Sequence, residues 1–143
     1  MRIEVRRAVY SKEQDIIRDI RTRVFVLEQK VEPEEDFDGL DGSAMHVLAY
    51  ADGTPAGTAR MLELESGMGK IGRMAVLKKY RGKGVGSRMA EFLVKMAKAM
   101  GMKGVEADAQ LQAFGFYEGL GFSAEGPIFL DARIEHRKMR LRF

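Results

Sequence analysis

The chain has 143 residues, of which 45% are hydrophobic and 31% are charged, and its formal net charge is +3. This length and composition are typical of one globular domain, here spanning residues 1–143, and exclude a disordered or fibrous protein. The absence of cysteine excludes disulfides and thiolate nucleophiles. No apolar run is long enough to span a bilayer and no charged-then-apolar leader opens the chain, so we expect a cytoplasmic protein.

The first half of the chain predicts a strand, a helix and an antiparallel meander. Alternating side chains over Arg2 to Val9 predict the first strand. Apolar residues at helical spacing predict an amphipathic helix over residues 12 to about 29, with Ser11 as its N-cap and Gln14 completing a capping box. Residues 30–44 predict a loop that holds a short helix. Three strands follow, with a hairpin turn at Asp52-Gly53 and a bulge at Gly57: 46–51, 54–64 and 70–77.

The second half of the chain predicts helices and strands in alternation after a glycine-rich turn. One helical stripe runs from Val85 to Met100, and a short strand follows at 105–108. A short helix over 111–120, a strand from Phe122 and an alternating strand over 134–143 complete the chain, whereas residues 127–133 fit no pattern. This order predicts an α/β (α+β) fold with helices packed on the faces of a mixed sheet.

Three glycines at alternate positions, Gly82, Gly84 and Gly86, lie between the strand at 70–77 and the long helix. A strand, a glycine-rich turn and a helix start form a phosphate-binding geometry, because unhindered N–H groups and the helix dipole attract the anion. A Walker A loop needs a Gly-Lys-Ser/Thr ending, and here Gly86 is followed directly by Ser87. A Rossmann fingerprint is disfavoured because its third glycine falls one place early, although Glu106 has the spacing of a ribose-binding acid.

A second motif lies near the end of the predicted short helix, where Phe116-Tyr117 is followed by Gly121-Phe122. Taken alone, Tyr117 fits a packed aromatic residue with its hydroxyl at the rim. However, Arg81-x-x-Gly84-x-Gly86 is similar to the Q/R-x-x-G-x-G/A signature of the GCN5-related N-acetyltransferase (GNAT) superfamily, and its distance to the second motif also matches. Further segments resemble a subgroup of small prokaryotic members: 23–29, 110–113 and 129–136.

This resemblance implies the GNAT fold, a mixed and mostly antiparallel sheet with helices on both faces, and acetyl-CoA as co-substrate without a metal. It implies that the strand at 70–77 splays from the next strand to admit the thioester. Gln110, which stands where many members have Asn, would also contact the cofactor. The resemblance assigns the pantetheine arm to backbone groups of Met74, Ala75 and Val76, and the pyrophosphate to the turn of Arg81, Gly82, Lys83, Gly84, Val85, Gly86 and Ser87.

The resemblance also implies that an amine attacks the thioester directly in a ternary complex, without an enzyme nucleophile. The strand amide near Val76 would polarise the carbonyl, and Tyr117 would act as general acid toward the departing sulfur. The amine must lose a proton, and we take Glu28 as the first candidate base, although it also fits a solvated helix end. The other candidates are His46, which fits a structural hydrogen bond equally well, Asp108 and His136.

The acidic segment 32–41 follows the first helix, and in this fold that region borders the acceptor site. Its carboxylates favour a small cationic amine as acceptor. Arg73 is an unusual charge in an apolar strand, and two placements fit it. It either pairs with a carboxylate of the acceptor pocket or points to the open face of the sheet.

Two other functions are consistent with the sequence. A non-catalytic acyl-CoA-binding module would keep the fold and the glycine turn, although Tyr117 argues against it. A nucleic-acid-binding protein would use the basic end of the chain, Arg133 to Arg142, but the net charge is modest and exposed aromatic residues are not interleaved there. We therefore expect an N-acetyltransferase that is a monomer or homodimer, with no nucleic-acid or membrane partner.

Overall fold

A computed structural model describes residues 1–143. Seven strands form one sheet in the order β1-β2-β3-β4-β5-β7-β6, in which only the β4–β5 pair is parallel. The predicted mixed, mostly antiparallel sheet is therefore confirmed. The strands are β1 (Ile3–Ala8), β2 (Met45–Ala51), β3 (Thr54–Glu63), β4 (Met68–Val76), β5 (Gly104–Gln110), β6 (Ser123–Asp131) and β7 (Ile134–Arg142).

Helices cover both faces of the sheet, as predicted. The four α-helices are α1 (Tyr10–Arg21), α2 (Pro33–Asp36), α3 (Val85–Ala99) and α4 (Phe114–Gly119). Apolar residues of α1 pack on one face against Leu48 and Ala75, whereas α3 and α4 pack on the other face against Val105 and Ala107. None of these helices has the length and apolar character needed to cross a membrane.

The predicted start of the first helix is wrong. Helix α1 begins at Tyr10 with Val9 as its N-cap, so Ser11 lies inside the helix and makes no capping hydrogen bond. The side chain of Glu13 stabilises this helix start, because its Oε1 accepts a hydrogen bond from the Val9 N–H at 3.0 Å. The helix continues as a π-helical segment, Thr22–Glu28, so its predicted end near residue 29 is confirmed.

The meander of β2, β3 and β4 is antiparallel as predicted, and it carries two bulges. The first leaves Ala56 unpaired beside Gly57, which confirms the predicted irregularity in β3. A Cβ on Gly57 would lie 3.0 Å from the Ala75 carbonyl oxygen and from Met89, so glycine permits the close approach of α3. The second bulge lies in β4, where Arg73 has a φ of +51°.

Residues 127–133, which fitted no sequence pattern, complete β6 and its turn into β7. The regular pairing stops after Glu125–Lys138 and resumes at Phe129–His136, with Gly126 at a φ of +78° in between. The turn itself consists of Ala132 and Arg133, both with positive φ. This bulge breaks the strand alternation, which explains why the sequence pattern fails here.

Candidate active site

A gap between β4 and β5 forms the centre of the site. The two strands pair from Met68–Gly104 to Ile71–Ala107, and no pair follows although both strands continue. The splay predicted for these strands is therefore present. A cavity of about 520 Å³ opens at this gap, and its walls come from β4, β5, α4, β7 and the segment that follows α1.

Tyr117 reaches this cavity from α4. Its ring is buried against Phe116 and Phe122 in edge-to-face contacts, with centroid distances of 5.0 and 5.3 Å. The hydroxyl makes no hydrogen bond within the protein, and burial raises the pKa of Tyr117 to about 12. The phenol is therefore fixed in place, protonated at neutral pH, and free to donate a hydrogen bond into the cavity.

The glycine turn presents a row of unused backbone donors. The N–H groups of residues 82–87 donate to no acceptor within the protein, and the first helical bond of this region runs from Arg88 N–H to the Gly84 carbonyl. Gly82 and Gly84 have φ values of +73° and +85°, and Gly84 is the N-cap of α3. The turn thus has the free amides and helix dipole that an anion requires. The turn itself does not line the cavity. The lining residue that precedes it in the chain is Met74 of β4.

Arg81 is engaged within the protein. Its two terminal nitrogens donate to the Glu28 carboxylate, each at 2.8 Å, and its Nε donates to the Val76 carbonyl oxygen, also at 2.8 Å. Hydrogen bonding from Arg81 lowers the pKa of Glu28. Neither Glu28 nor Arg81 lines the cavity. A carboxylate held in this way is a weaker proton acceptor than a free one, which counts against Glu28 as the base.

Gln110 lies at the end of β5 and lines the cavity, as do Met74 and Tyr117. Its amide nitrogen donates to Gln29 Oε1 at 2.9 Å, and its own oxygen accepts a bond from Gln112. These bonds connect β5 to the end of the π-helical segment across the gap. One amide N–H and one lone pair of the Gln110 oxygen have no partner within the protein, and contact between Gln110 and a cofactor stays a prediction.

The acidic segment is built into a network of buried ion pairs. Arg21 is fully buried and donates to Asp41 at 2.7 Å, and Arg60 donates to Asp41 and Asp38 at 2.9 and 2.6 Å. Arg73 lies 3.2 Å from both Asp36 and Asp38, so it pairs with carboxylates of the cavity wall and does not point to the open face of the sheet. The carboxylates at 36, 38 and 41 are therefore neutralised within the protein, and this weakens the argument that they attract a cationic acceptor.

Comparisons with known proteins agree with this geometry. A family model described as "Acetyltransferase (GNAT) domain" matches residues 8–143. The chain belongs to the GNAT acetyltransferase family. It is 36% identical over 137 residues to a Bacillus subtilis protein named "Uncharacterized N-acetyltransferase YjcF", covering 93% of this chain and 97% of that protein.

Solved structures show the same relationship. An acyl-CoA N-acyltransferase from Pseudomonas aeruginosa is 28% identical, with a TM-score of 0.84 over 97% of this chain and 99% of that one. Escherichia coli ElaA is 26% identical, with a TM-score of 0.85 over 97% and 99% of the two chains. A Bacillus anthracis protein assigned as a streptothricin acetyltransferase, solved with acetyl coenzyme A, is 26% identical over 71% of this chain and 63% of that one, with a TM-score of 0.63. The fold and the N-acetyltransferase class predicted from the sequence are thus confirmed.

The four candidate bases of this GNAT domain fall into two groups. Asp108 and His136 line the cavity, whereas Glu28 and His46 do not. His46 is buried and stacked on Tyr10, and its Nε2 donates to the Asp41 carbonyl oxygen at 2.8 Å. Burial lowers the pKa of His46. This histidine has the structural hydrogen bond that the sequence left open as its alternative role.

The basic C-terminal segment is also largely paired. The side chains of β7 that face one way meet carboxylates of β5 and β6: Lys138 lies 3.1 Å from Glu106, and Arg140 and Arg142 each lie 2.6 Å from Glu125. These pairs form a charged ladder across the open face of the sheet. A continuous unpaired basic surface, which nucleic-acid binding requires, is not formed by these residues.

The sequence analysis gave no role to five polar residues of the cavity wall: Gln29, Arg60, Lys70, Gln112 and Asp131. A signal was available for Arg60, because it interrupts the apolar run between Ala59 and Met61 in the same way that Arg73 interrupts β4. Lys70 and Gln29 carry no comparable signal. Their positions depend on the pairing of β4 with β5 and on the end of the π-helical segment.

Proposed function

We propose that this GNAT domain transfers the acetyl group of acetyl-CoA to a primary amine of a small, cationic acceptor by direct attack in a ternary complex. The observation that carries the proposal is the position of the unbonded Tyr117 hydroxyl at a cavity that opens where β4 parts from β5. The gap provides the path for a narrow thioester arm, and the hydroxyl is the one tyrosine hydroxyl at that cavity.

The donor end of the proposal rests on the glycine turn. The free amides of residues 82–87 fit a pyrophosphate, and Met74, Ala75 and Val76 lie in β4 beyond its last pair with β5, where the pantetheine arm would run. The acetyl-CoA complex of the Bacillus anthracis relative supports this choice of donor. Arg81 would act here by supporting the turn, because its side chain is held by Glu28 and Val76 and its backbone N–H donates to the Lys78 carbonyl oxygen at 3.3 Å.

The chemistry requires little of the protein beyond positioning and proton handling. The amine nitrogen forms a bond to the thioester carbon, and the carbon–sulfur bond breaks. The peptide N–H near Val76 would stabilise the negative charge that develops on the carbonyl oxygen. Tyr117 would donate its proton to the departing sulfur, and binding of both substrates together supplies proximity.

The acceptor side lies on the far side of the gap from α4. A cavity of about 520 Å³ fits a small molecule rather than a folded protein. The ion-paired segment 32–41 forms part of its wall, and the support for a cationic acceptor comes from two carboxylates of the wall outside that segment, Asp108 and Asp131. Of the bases considered, Asp108 and His136 have the position that the reaction needs, and Glu28 does not.

A thiol-release assay tests the proposal. Acetyl-CoA is incubated with the protein and a panel of primary amines that includes a polyamine, an aminoglycoside and a lysine peptide, with the matching alcohols as controls. We expect thiol release with at least one amine, and an acetylated product of that amine by mass spectrometry. Tight binding of acetyl-CoA without thiol release for any amine would instead favour the non-catalytic module.

A further inference from the structure

Asp108 carries the one buried side-chain nitrogen or oxygen atom in the protein that has no hydrogen-bond partner. This atom is Oδ1. The other carboxylate oxygen, Oδ2, lies 3.1 Å from Lys70 Nζ, whereas Lys138 Nζ lies 3.9 Å from Oδ1, which exceeds hydrogen-bond distance. A buried carboxylate oxygen without a donor is costly, so its presence at a cavity indicates a position where a ligand donates.

The orphan oxygen lies at the place where the reaction is proposed to occur. Asp108 is the first residue of β5 after its last pair with β4, Ile71–Ala107. It therefore stands at the start of the gap, and it lines the same cavity as Tyr117. A thioester that enters through the gap would reach the cavity beside this carboxylate.

His136 is the neighbouring group on the same face of the sheet. In the β5–β7 register Asp108 faces Lys138 and Gln110 faces His136, so Asp108 and His136 are diagonal neighbours, with a separation of roughly 7–8 Å expected between their backbones. A space of that size accommodates one ammonium group between the two side chains.

The hydrogen bonding of His136 leaves one ring nitrogen available as a base. Nδ1 lies 2.7 Å from the Ile134 carbonyl oxygen, and because a carbonyl only accepts, Nδ1 carries the proton. In the neutral ring Nε2 is then the nitrogen with a free electron pair, and it has no partner within the protein. Phe129 stacks on the ring with a centroid distance of 5.9 Å and helps to fix its orientation.

We propose that Asp108 and His136 together receive the amine of the acceptor. Asp108 Oδ1 accepts a hydrogen bond from the amine N–H, and His136 Nε2 takes the proton that the ammonium loses before it attacks. This inference rests on the proposed function, and it assigns the acceptor class as a primary amine that arrives in its protonated, cationic form.

The proton balance of the reaction is complete. The ammonium gives its first proton to His136, which passes it to solvent, and the freed electron pair forms the nitrogen–carbon bond. As the carbon–sulfur bond breaks, the nitrogen loses its second proton to solvent through the same imidazole, and the sulfur takes a proton from Tyr117. Tyr117 regains its proton from solvent. The products are one amide, one free thiol and one net proton.

Three variants test the inference: Asp108→Asn, His136→Asn and Glu106→Gln. Glu106 is the matched control, because it is a carboxylate of the same strand and face that shares Lys138 but does not line the cavity. With the amine of the panel that reacts fastest, we expect Asp108→Asn to raise KM for the amine about tenfold or more while KM for acetyl-CoA and kcat change little. We expect His136→Asn, which keeps a donor toward the Ile134 carbonyl, to lower kcat about 100-fold.

The outcomes separate this inference from the proposed function. Equal KM values for the amine in Asp108→Asn and Glu106→Gln, or a kcat of His136→Asn within about threefold of the wild type, would overturn the inference while the reaction itself stands. Absence of thiol release by the wild type with every amine would overturn the proposed function, and this inference with it. If Asp108→Asn does not fold, Asp108→Glu, which moves the oxygen by one methylene, takes its place in the same comparison.

Discussion

Arg81 and Glu28 are 53 residues apart in the chain, and two hydrogen bonds of 2.8 Å connect their side chains. A third bond of 2.8 Å runs from Arg81 Nε to the Val76 carbonyl oxygen. Arg81 thus joins the end of the first helix to the end of β4, where the glycine turn begins. A residue that the family signature associates with the cofactor acts in this structure as a support for the turn.

Replacement of Glu28 by Gln tests whether this carboxylate is the base. We expect kcat to change by less than about threefold, because Glu28 does not line the cavity. The pair with Arg81 is partly exposed, and such pairs contribute only about 0.5 kcal/mol to stability. Steady-state kinetics with a saturating amine provide the measurement. A loss of kcat by two orders of magnitude would restore Glu28 as the base and remove that role from His136.

Replacement of Gly84 by Ala tests the phosphate-binding role of the turn. A side chain at a φ of +85° costs about 1 kcal/mol, and the turn would shift to relieve this strain. Gly101→Ala is the matched control, because Gly101 has a φ of +77°, meets no neighbouring atom at its Cβ position, and lies at the far end of α3. Both variants should lose similar stability in urea, and only Gly84→Ala should bind acetyl-CoA about tenfold more weakly by calorimetry.

Replacement of Tyr117 by Phe tests the proton donor. The ring and its aromatic contacts are retained while the hydroxyl is lost, so we expect kcat to fall about 100-fold with an unchanged dissociation constant for acetyl-CoA. Tyr50→Phe is the control, because the Tyr50 hydroxyl bonds only Arg6 and lies outside the cavity. Since the pKa of Tyr117 is about 12, its deprotonation should not limit the wild-type rate at pH 9 or below. Full activity of Tyr117→Phe would exclude the assigned role.

The ion-pair network predicts a stability that depends on pH. Hydrogen bonding from Arg60 holds the pKa of Asp38 well below its usual range. In acid the folded state therefore binds fewer protons than the unfolded state, so the contribution of Asp38 is complete at neutral pH and declines as the pH falls below about 4.

We expect Asp38→Asn to lower the free energy of unfolding by about 2 kcal/mol at pH 7, and by much less at pH 2. Urea titrations at pH 7 and pH 2 provide the measurement. Asp19→Asn, which removes an exposed pair with Arg23, should lose little at pH 7. A loss for Asp38→Asn that is equal at both pH values would show that its charge does not stabilise the fold.

The sequence predicts what depends on local patterns. Asp52-Gly53 predicted the hairpin between β2 and β3, the glycines at 82, 84 and 86 located the turn before α3, and the motif around Tyr117 predicted an aromatic residue of the site, which lines the cavity. The predicted start of α1 is wrong because Glu13 accepts the Val9 N–H, and the helix begins after Val9 instead of after Ser11. Local propensity could not predict this start, because Glu13 is also held by Arg6 of β1.

The charge of the acceptor side of the site could not be predicted from the sequence, for a different reason. Whether Asp36 and Asp38 are free or neutralised depends on arginines that lie far away in the sequence, Arg21, Arg60 and Arg73. Composition alone therefore presented an acidic surface where the fold contains a balanced network. The single domain, the oligomeric state and the cytoplasmic location stay predictions.

A crystal structure of the protein with acetyl-CoA would show directly whether the glycine turn and Tyr117 hold the donor. We expect the pyrophosphate to lie on the amides of residues 82–87, the pantetheine arm to follow β4 into the gap beside β5, and the sulfur to lie within about 3.5 Å of the Tyr117 hydroxyl. Acetyl-CoA bound elsewhere, or bound in the turn with its sulfur on the side of the sheet away from Tyr117, would contradict this expectation.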